Sequence, residues 1–155
     1  MTLLVANPMY AALMGDPSGL HGFERNGVWR NFLGAPTRVR HTPEERSAFE
    51  AGMVAELRAT VGRYPADRQL RRLVAELRAG SERFAELWDA GVVGRLESSR
   101  KTIEHPHVGL LTLDCDLLRV EGNDLHILVY SAEPGTEEAE KLALLAVLGT
   151  QSLVG

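Results

Sequence analysis

The residues best suited to chemistry are a few histidines and cations, with aromatic side chains able to wall a cavity. His105 and His107 flank Pro106. Residues two apart on a strand point to one side, so these imidazoles could share a face. A metal would need a third or fourth ligand, for which His126, Asp114 and Glu104 are the local options. No HExxH, CxxC, GxSxG or phosphate-cradling glycine loop accompanies them. Ser, His and Asp show no triad spacing. The chain therefore reads as a non-enzyme, with no catalytic residue, no metal and no cofactor.

Holding an anion is the chemistry that remains. Arg58, Arg100, Lys101 and His105 are candidate anchors for a carboxylate, because a buried charge requires a partner. Trp29, Trp88 and Tyr130 are candidates for a pocket wall, each combining a large apolar body with a polar tip. An acyl chain would gain about 0.8 kcal/mol for each methylene it buries. For each of these residues the competing role is a surface cation or a core aromatic.

The elements that must position them can be read from periodicity. In LLTLDCDLLRV, Leu111, Leu113, Cys115 and Leu117 alternate with Thr112, Asp114 and Asp116, the two-residue period of a strand with one buried face. The turn residues Glu121 to Asp124 precede LHILVY, a hairpin signal. Upstream, KTIEHPHVG is a shorter strand closed by Pro106 and Gly109. Together they predict an antiparallel three-strand meander.

Before it, Leu3 to Ala6 reads as a short strand, and Asn7-Pro8 as the start of a helix running to Met14. Asp16 to Gly27 reads as loop, followed by a helical turn over Val28 to Leu33. Thr42-Pro43-Glu44-Glu45 is a capping box. Phe49, Met53, Val54, Leu57 and Val61 then form one apolar stripe. Further helices open near Asp67 and at Ser81 and stop at Gly80 and before Gly91. A last helix is capped by Thr136, and its Leu142, Leu144, Leu145, Val147 and Leu148 are apolar nearly all round. Such a helix seeks cover on more than one side, which points to a homodimer. The fold class is α+β, an antiparallel sheet covered on one side by several helices, and residues 1–155 form one domain.

Composition narrows the partners. The chain has 155 residues, one cysteine and a net charge of −4. A lone Cys115 on the apolar face of a strand excludes an internal disulfide and fits a reducing, cytoplasmic setting. No apolar run approaches the roughly twenty residues that span a bilayer, and the start lacks the marks of a secretory signal. The arginines between Arg25 and Arg100 are interleaved with Glu44, Glu45, Glu56, Glu76, Glu82 and Glu86, which would repel phosphates. DNA binding by this chain alone is not expected.

Several of these residues also carry a family pattern. Trp88, Lys101, the run His105-Pro106-His107-Val108-Gly109, and Tyr130-Ser131-Ala132-Glu133-Pro134-Gly135-Thr136 resemble the C-terminal domain of MmyB-like transcription regulators, a family common in actinomycetes. Val54-Ala55-Glu56-Leu57-Arg58 and Asn7 match further elements of that pattern. The resemblance covers nearly the whole chain. It implies a PAS-like domain that senses a ligand, a fatty acid or other acyl molecule, for a one-component regulator. The Xre-type helix-turn-helix that binds DNA in such regulators is expected outside this chain, as is the first PAS strand. Two positions depart from the pattern: Gly91 stands where the family often has His, and Ser99-Arg100 where it often has Gly before a Thr-Lys pair.

The expectation is therefore a ligand-sensing domain that encloses a small apolar ligand between helices and sheet and dimerises through its terminal helix. The alternative is an interaction module with no small-molecule ligand, whose apolar terminal helix is the working surface.

Overall fold

The structure is a computed structural model describing residues 1–151. It is α+β, and its residues gather into two compact units interleaved along the chain.

The helical unit comprises Met1–Leu3, Leu20–Pro36 and Thr42–Leu96. Its helices are α2 (Gly27–Phe32), α3 (Pro43–Arg63), α4 (Arg68–Gly80) and α5 (Glu82–Asp89). Each begins where a short polar side chain can satisfy free N–H groups. Asn26 accepts from Val28 and Trp29 in α2, Asp67 from Gln69 and Leu70 in α4, and Ser81 from Phe84 in α5. At α3 the predicted capping box is complete: Thr42 accepts from the Glu45 N–H, and Glu45 accepts from the Thr42 N–H. Val28, Met53, Val54, Leu57, Leu73, Leu77, Phe84 and Leu87 form the core of this unit, with Trp29, Phe32 and Trp88 packed against it. Where the chain passes back over α3 it needs a residue without a side chain. A Cβ on Gly52 would stand 3.2 Å from the Arg95 carbonyl.

One acid is buried here. Glu50 is shielded on α3, and Arg46 and Arg83 donate to its two carboxylate oxygens at 2.9 and 3.1 Å. Charge pairing and hydrogen bonding on both oxygens are what make such burial tolerable.

The sheet unit comprises Leu4–Gly19, Thr37–His41 and the chain from Glu97 onward. It contains α1 (Pro8–Met14), β1 (Val39–Arg40), β2 (Ser99–His105), β3 (Gly109–Arg119), β4 (His126–Ser131) and α6 (Glu137–Gln151). The strands form one antiparallel sheet in the order β1-β2-β3-β4. The predicted meander is therefore present, extended at one edge by the two-residue β1. Register pairs Ile103 with Leu111, Lys101 with Leu113, and Cys115 with Tyr130. On this inner face Ile103, Leu111 and Leu113 bury themselves against Leu13 of α1 and Leu145 of α6. The opposite face is mixed, with Leu110, Leu118, Ile127 and Val129 exposed beside polar pairs. It carries Thr102 bonded to Thr112, the ion pair of Arg40 with Glu104, and that of Arg100 with Asp114.

Two sequence expectations need correction. Leu3 to Ala6 does not form a strand. Thr2 alone makes a bridge, to Asn26, while Leu4 and Val5 are 65% and 86% exposed. Leu3 is tied to Arg25 through its N–H and its carbonyl, at 2.8 and 3.1 Å, but the apolar side chains of Leu4 and Val5 have no sheet face to bury them. The stretch Asp16 to Gly27 also holds a 3-10 turn over Gly22–Arg25, closed by Glu24 accepting from the His21 N–H.

Candidate ligand-binding site

The candidate residues fall in both units. Trp29, Arg58 and Trp88 lie in the helical unit, and Arg100, Lys101, His105 and Tyr130 in the sheet unit.

Arg58 is the outlier among them. It projects from the middle of α3, and its guanidinium lies over the Trp88 ring, with the central carbon 5.0 Å from the ring centroid. Trp88 stacks on Phe84 at 5.6 Å, and Phe84 meets the edge of Phe32 at 5.2 Å. This aromatic column holds the shelf on which the cation rests. Nε and Nη2 of Arg58 are both shut off from solvent, and neither has a hydrogen-bond partner. Those two nitrogens sit on one edge of the guanidinium, the fork that grips a carboxylate with two parallel bonds. Trp29, in the same unit, instead donates its indole N–H to Glu76 at 2.7 Å. That bond gives Trp29 a place in the packing of α2 on α4.

The sheet-unit candidates divide by face. Lys101, His105 and Tyr130 share the inner face, whereas Arg100 lies on the outer one, 3.2 Å from Asp114 and largely exposed. A shallow groove of about 340 Å³ opens beside it, lined by Ser98, Ser99, Asp114, Asp116 and Ser131. Its polar lining is unsuited to an acyl chain. Tyr130 packs beside Tyr10 at 6.3 Å, and burial pushes its phenol far above the ordinary range. Burial also pushes the neighbouring Cys115 thiol up, although a hydrogen bond with Tyr130 opposes it. Both therefore stay neutral at physiological pH, and Cys115 is a core residue without thiolate character.

His105 has both ring nitrogens engaged. Nε2 lies 2.9 Å from the Ala12 carbonyl, and Nδ1 accepts from the His107 N–H at 3.2 Å. That pattern fits only the neutral ring protonated on Nε2. Arg38 donates to the carbonyls of Ala12 and Leu13 beside it, at 3.1 and 2.8 Å. Histidine and arginine thus cap the last turn of α1 together, whose carbonyls have no partners within the helix. Periodicity could not reveal this, because Arg38 and His105 are far apart in the chain. Among the described residues no group of three or more His, Cys, Asp or Glu is placed to hold a metal ion.

Burial lowers the pKa of His105, and the nearby positive charges of Arg38 and His107 add to the effect against the opposing Ala12 bond. With the folded value below the unfolded one, the unfolded chain binds the extra proton. Stability should thus be full above the unfolded value near 6.5 and fall as pH drops below it, until the folded group also titrates. The slope from this residue is at most about 1.4 kcal/mol per pH unit. Urea unfolding across that window should show a shallower decline in His105→Gln than in the unsubstituted chain; identical pH profiles would exclude this contribution of His105.

No helix among the described residues is long and apolar enough to cross a membrane. No curated protein and no solved structure matches the chain. A family model described as "MmyB-like transcription regulator ligand binding domain" matches residues 1–145. With that match covering nearly all of its length, and with a cation shelf built from the family-pattern residues Arg58 and Trp88, the chain belongs to the MmyB-like transcription regulator ligand-binding domains.

Proposed function

We propose that this ligand-binding domain takes a carboxylate-bearing acyl molecule, a fatty acid or a close analogue, with Arg58 as the anchor of its head group. The observation that carries this reading is the water-excluded edge of Arg58, two donors without partners above Trp88. A guanidinium held so is costly unless an anion completes it. A carboxylate matches both its charge and its spacing. The other half of such a ligand would be repaid by methylene burial at about 0.8 kcal/mol each.

The reading extends to how the domain would act. The ligand would hold the chain in one of two conformations, which requires different affinities for the two. An attached DNA-binding domain would sense the change in a cytoplasmic regulator. Self-association through α6 belongs to the same proposal. Leu145 of that helix is buried in its own unit, while Leu144 and Val147 remain 51% and 54% exposed, an apolar stripe suited to a second copy.

Mass spectrometry of organic extracts from purified protein tests the ligand. A stoichiometric acyl carboxylate is the expected result. A clean extract, together with no binding of added dodecanoate, would favour the interaction module working through α6.

A further inference from the structure

The geometry points to Gly91 as the residue that sets the guanidinium of Arg58 in place for carboxylate recognition. This inference rests on the Arg58 reading above and adds to it a second position that decides head-group specificity.

Gly91 has an evident local task. It follows α5 with φ +64°, its N–H reaches the Trp88 carbonyl at 3.3 Å, and the Val92 N–H reaches that of Leu87 at 3.5 Å. This is the Schellman arrangement, which places a left-handed residue just past the helix end. The cap alone would account for a glycine, and Asn is also accepted at such positions. A second feature goes beyond the cap. A Cβ on Gly91 would stand 3.1 Å from Nη1 of Arg58, and among the described residues no other heavy atom outside its own chain neighbours would lie within 4 Å. The missing side chain therefore leaves room for one group only, the guanidinium.

Arg58 is thus bounded on one side by the Trp88 ring and on another by the Gly91 backbone. With Nη1 turned toward Gly91, the Nε and Nη2 edge is the one left without partners. A methyl group at 91 would make Nη1 give by a few tenths of an ångström and turn the Nε–Nη2 edge with it. Bidentate recognition tolerates little rotation, because both bonds need near-linear geometry at once. The loss would fall on the charged head group and spare the apolar tail.

Binding of dodecanoate and of methyl dodecanoate, measured by calorimetry on the delipidated full chain, separates the possibilities. The unsubstituted chain should prefer the carboxylate by about tenfold or more, the effect of charge-assisted hydrogen bonds. Gly91→Ala should bring the two ligands within about twofold by weakening dodecanoate alone. In an Arg58→Met background, Gly91→Ala should change neither affinity, since coupling between contacting residues vanishes when one is removed. If Gly91→Ala does not fold, Gly91→Asn places a Cβ at the same point in a residue that accepts positive φ. A folded variant that keeps its preference for the carboxylate, or loses affinity for both ligands equally, overturns the role of Gly91 while the anchor stands. No preference in the unsubstituted chain overturns the anchor itself.

Discussion

Arg58→Met should abolish carboxylate recognition and leave the empty protein at least as stable as before. The two effects have opposite signs because the same donors are involved. In the empty chain, Nε and Nη2 of Arg58 are buried without partners, and each unsatisfied buried group costs about 1–3 kcal/mol. Methionine keeps most of the apolar stem and removes both donors. The substitution also loses the contact of the guanidinium with Trp88, worth about 0.5–1 kcal/mol at a partly exposed site and more where desolvated. Two donors make the relief about 2–6 kcal/mol against a loss of about 0.5–2, so the net change should run from neutral to stabilising by several kcal/mol. Binding goes the other way. Losing charge-assisted bonds of about 1.5–3 kcal/mol lowers affinity for dodecanoate about ten- to a hundredfold. Urea unfolding of delipidated protein and calorimetric titration measure the two sides separately. A variant that loses several kcal/mol of stability, or that binds dodecanoate as tightly as before, would show that Arg58 belongs to the packing of α3 on α5.

Why this arginine and not another was hidden in the sequence is a matter of which contacts are local. The caps were legible, since Thr42 with Glu45, Asp67, Ser81 and Asn7 act over three residues or fewer. The alternation of Leu111, Leu113 and Cys115 was equally legible, because a strand face repeats at a fixed step. Arg58 and Arg100 looked alike as candidates. Only assembly showed that Arg100 lies on the solvent face with Asp114 as its partner, while Arg58 lies on a ring thirty positions further along the chain. Glu50 makes the same point in reverse. It pairs with Arg46 one turn away, yet its second oxygen is closed by Arg83, which arrives from α5 thirty-three positions along the chain. The opening run Leu3 to Ala6 misled because composition fits a strand, whereas pairing depends on a neighbour that a local window does not contain. Gly91 was visible only as a departure from a pattern, and its consequence, space for Nη1, requires the turn of the chain after α5.

Phe84→Ala should cost about 3–5 kcal/mol, the range for removing a buried aromatic ring. Phe84 is fully buried at the centre of the helical unit, edge-on to Phe32 and nearly parallel to Trp88, with 23° between the rings. Alanine leaves a cavity between two rigid groups that cannot both close on it. With total stability commonly about 5–15 kcal/mol, the loss should lower the melting temperature by on the order of 10 °C for a chain of this size. The effect should reach the ligand as well. Trp88 is held flat by Phe84, and Arg58 lies on Trp88, so a looser ring gives the guanidinium more orientations and less aim. Dodecanoate affinity should fall several-fold at a temperature where the variant remains folded, although Phe84 itself is too deep to touch a ligand. In Arg58→Met the same substitution should lower stability undiminished and leave the residual affinity unchanged. Equal effects on binding in both backgrounds would mean that Phe84 supports the fold at large, with no particular hold on the shelf beneath Arg58.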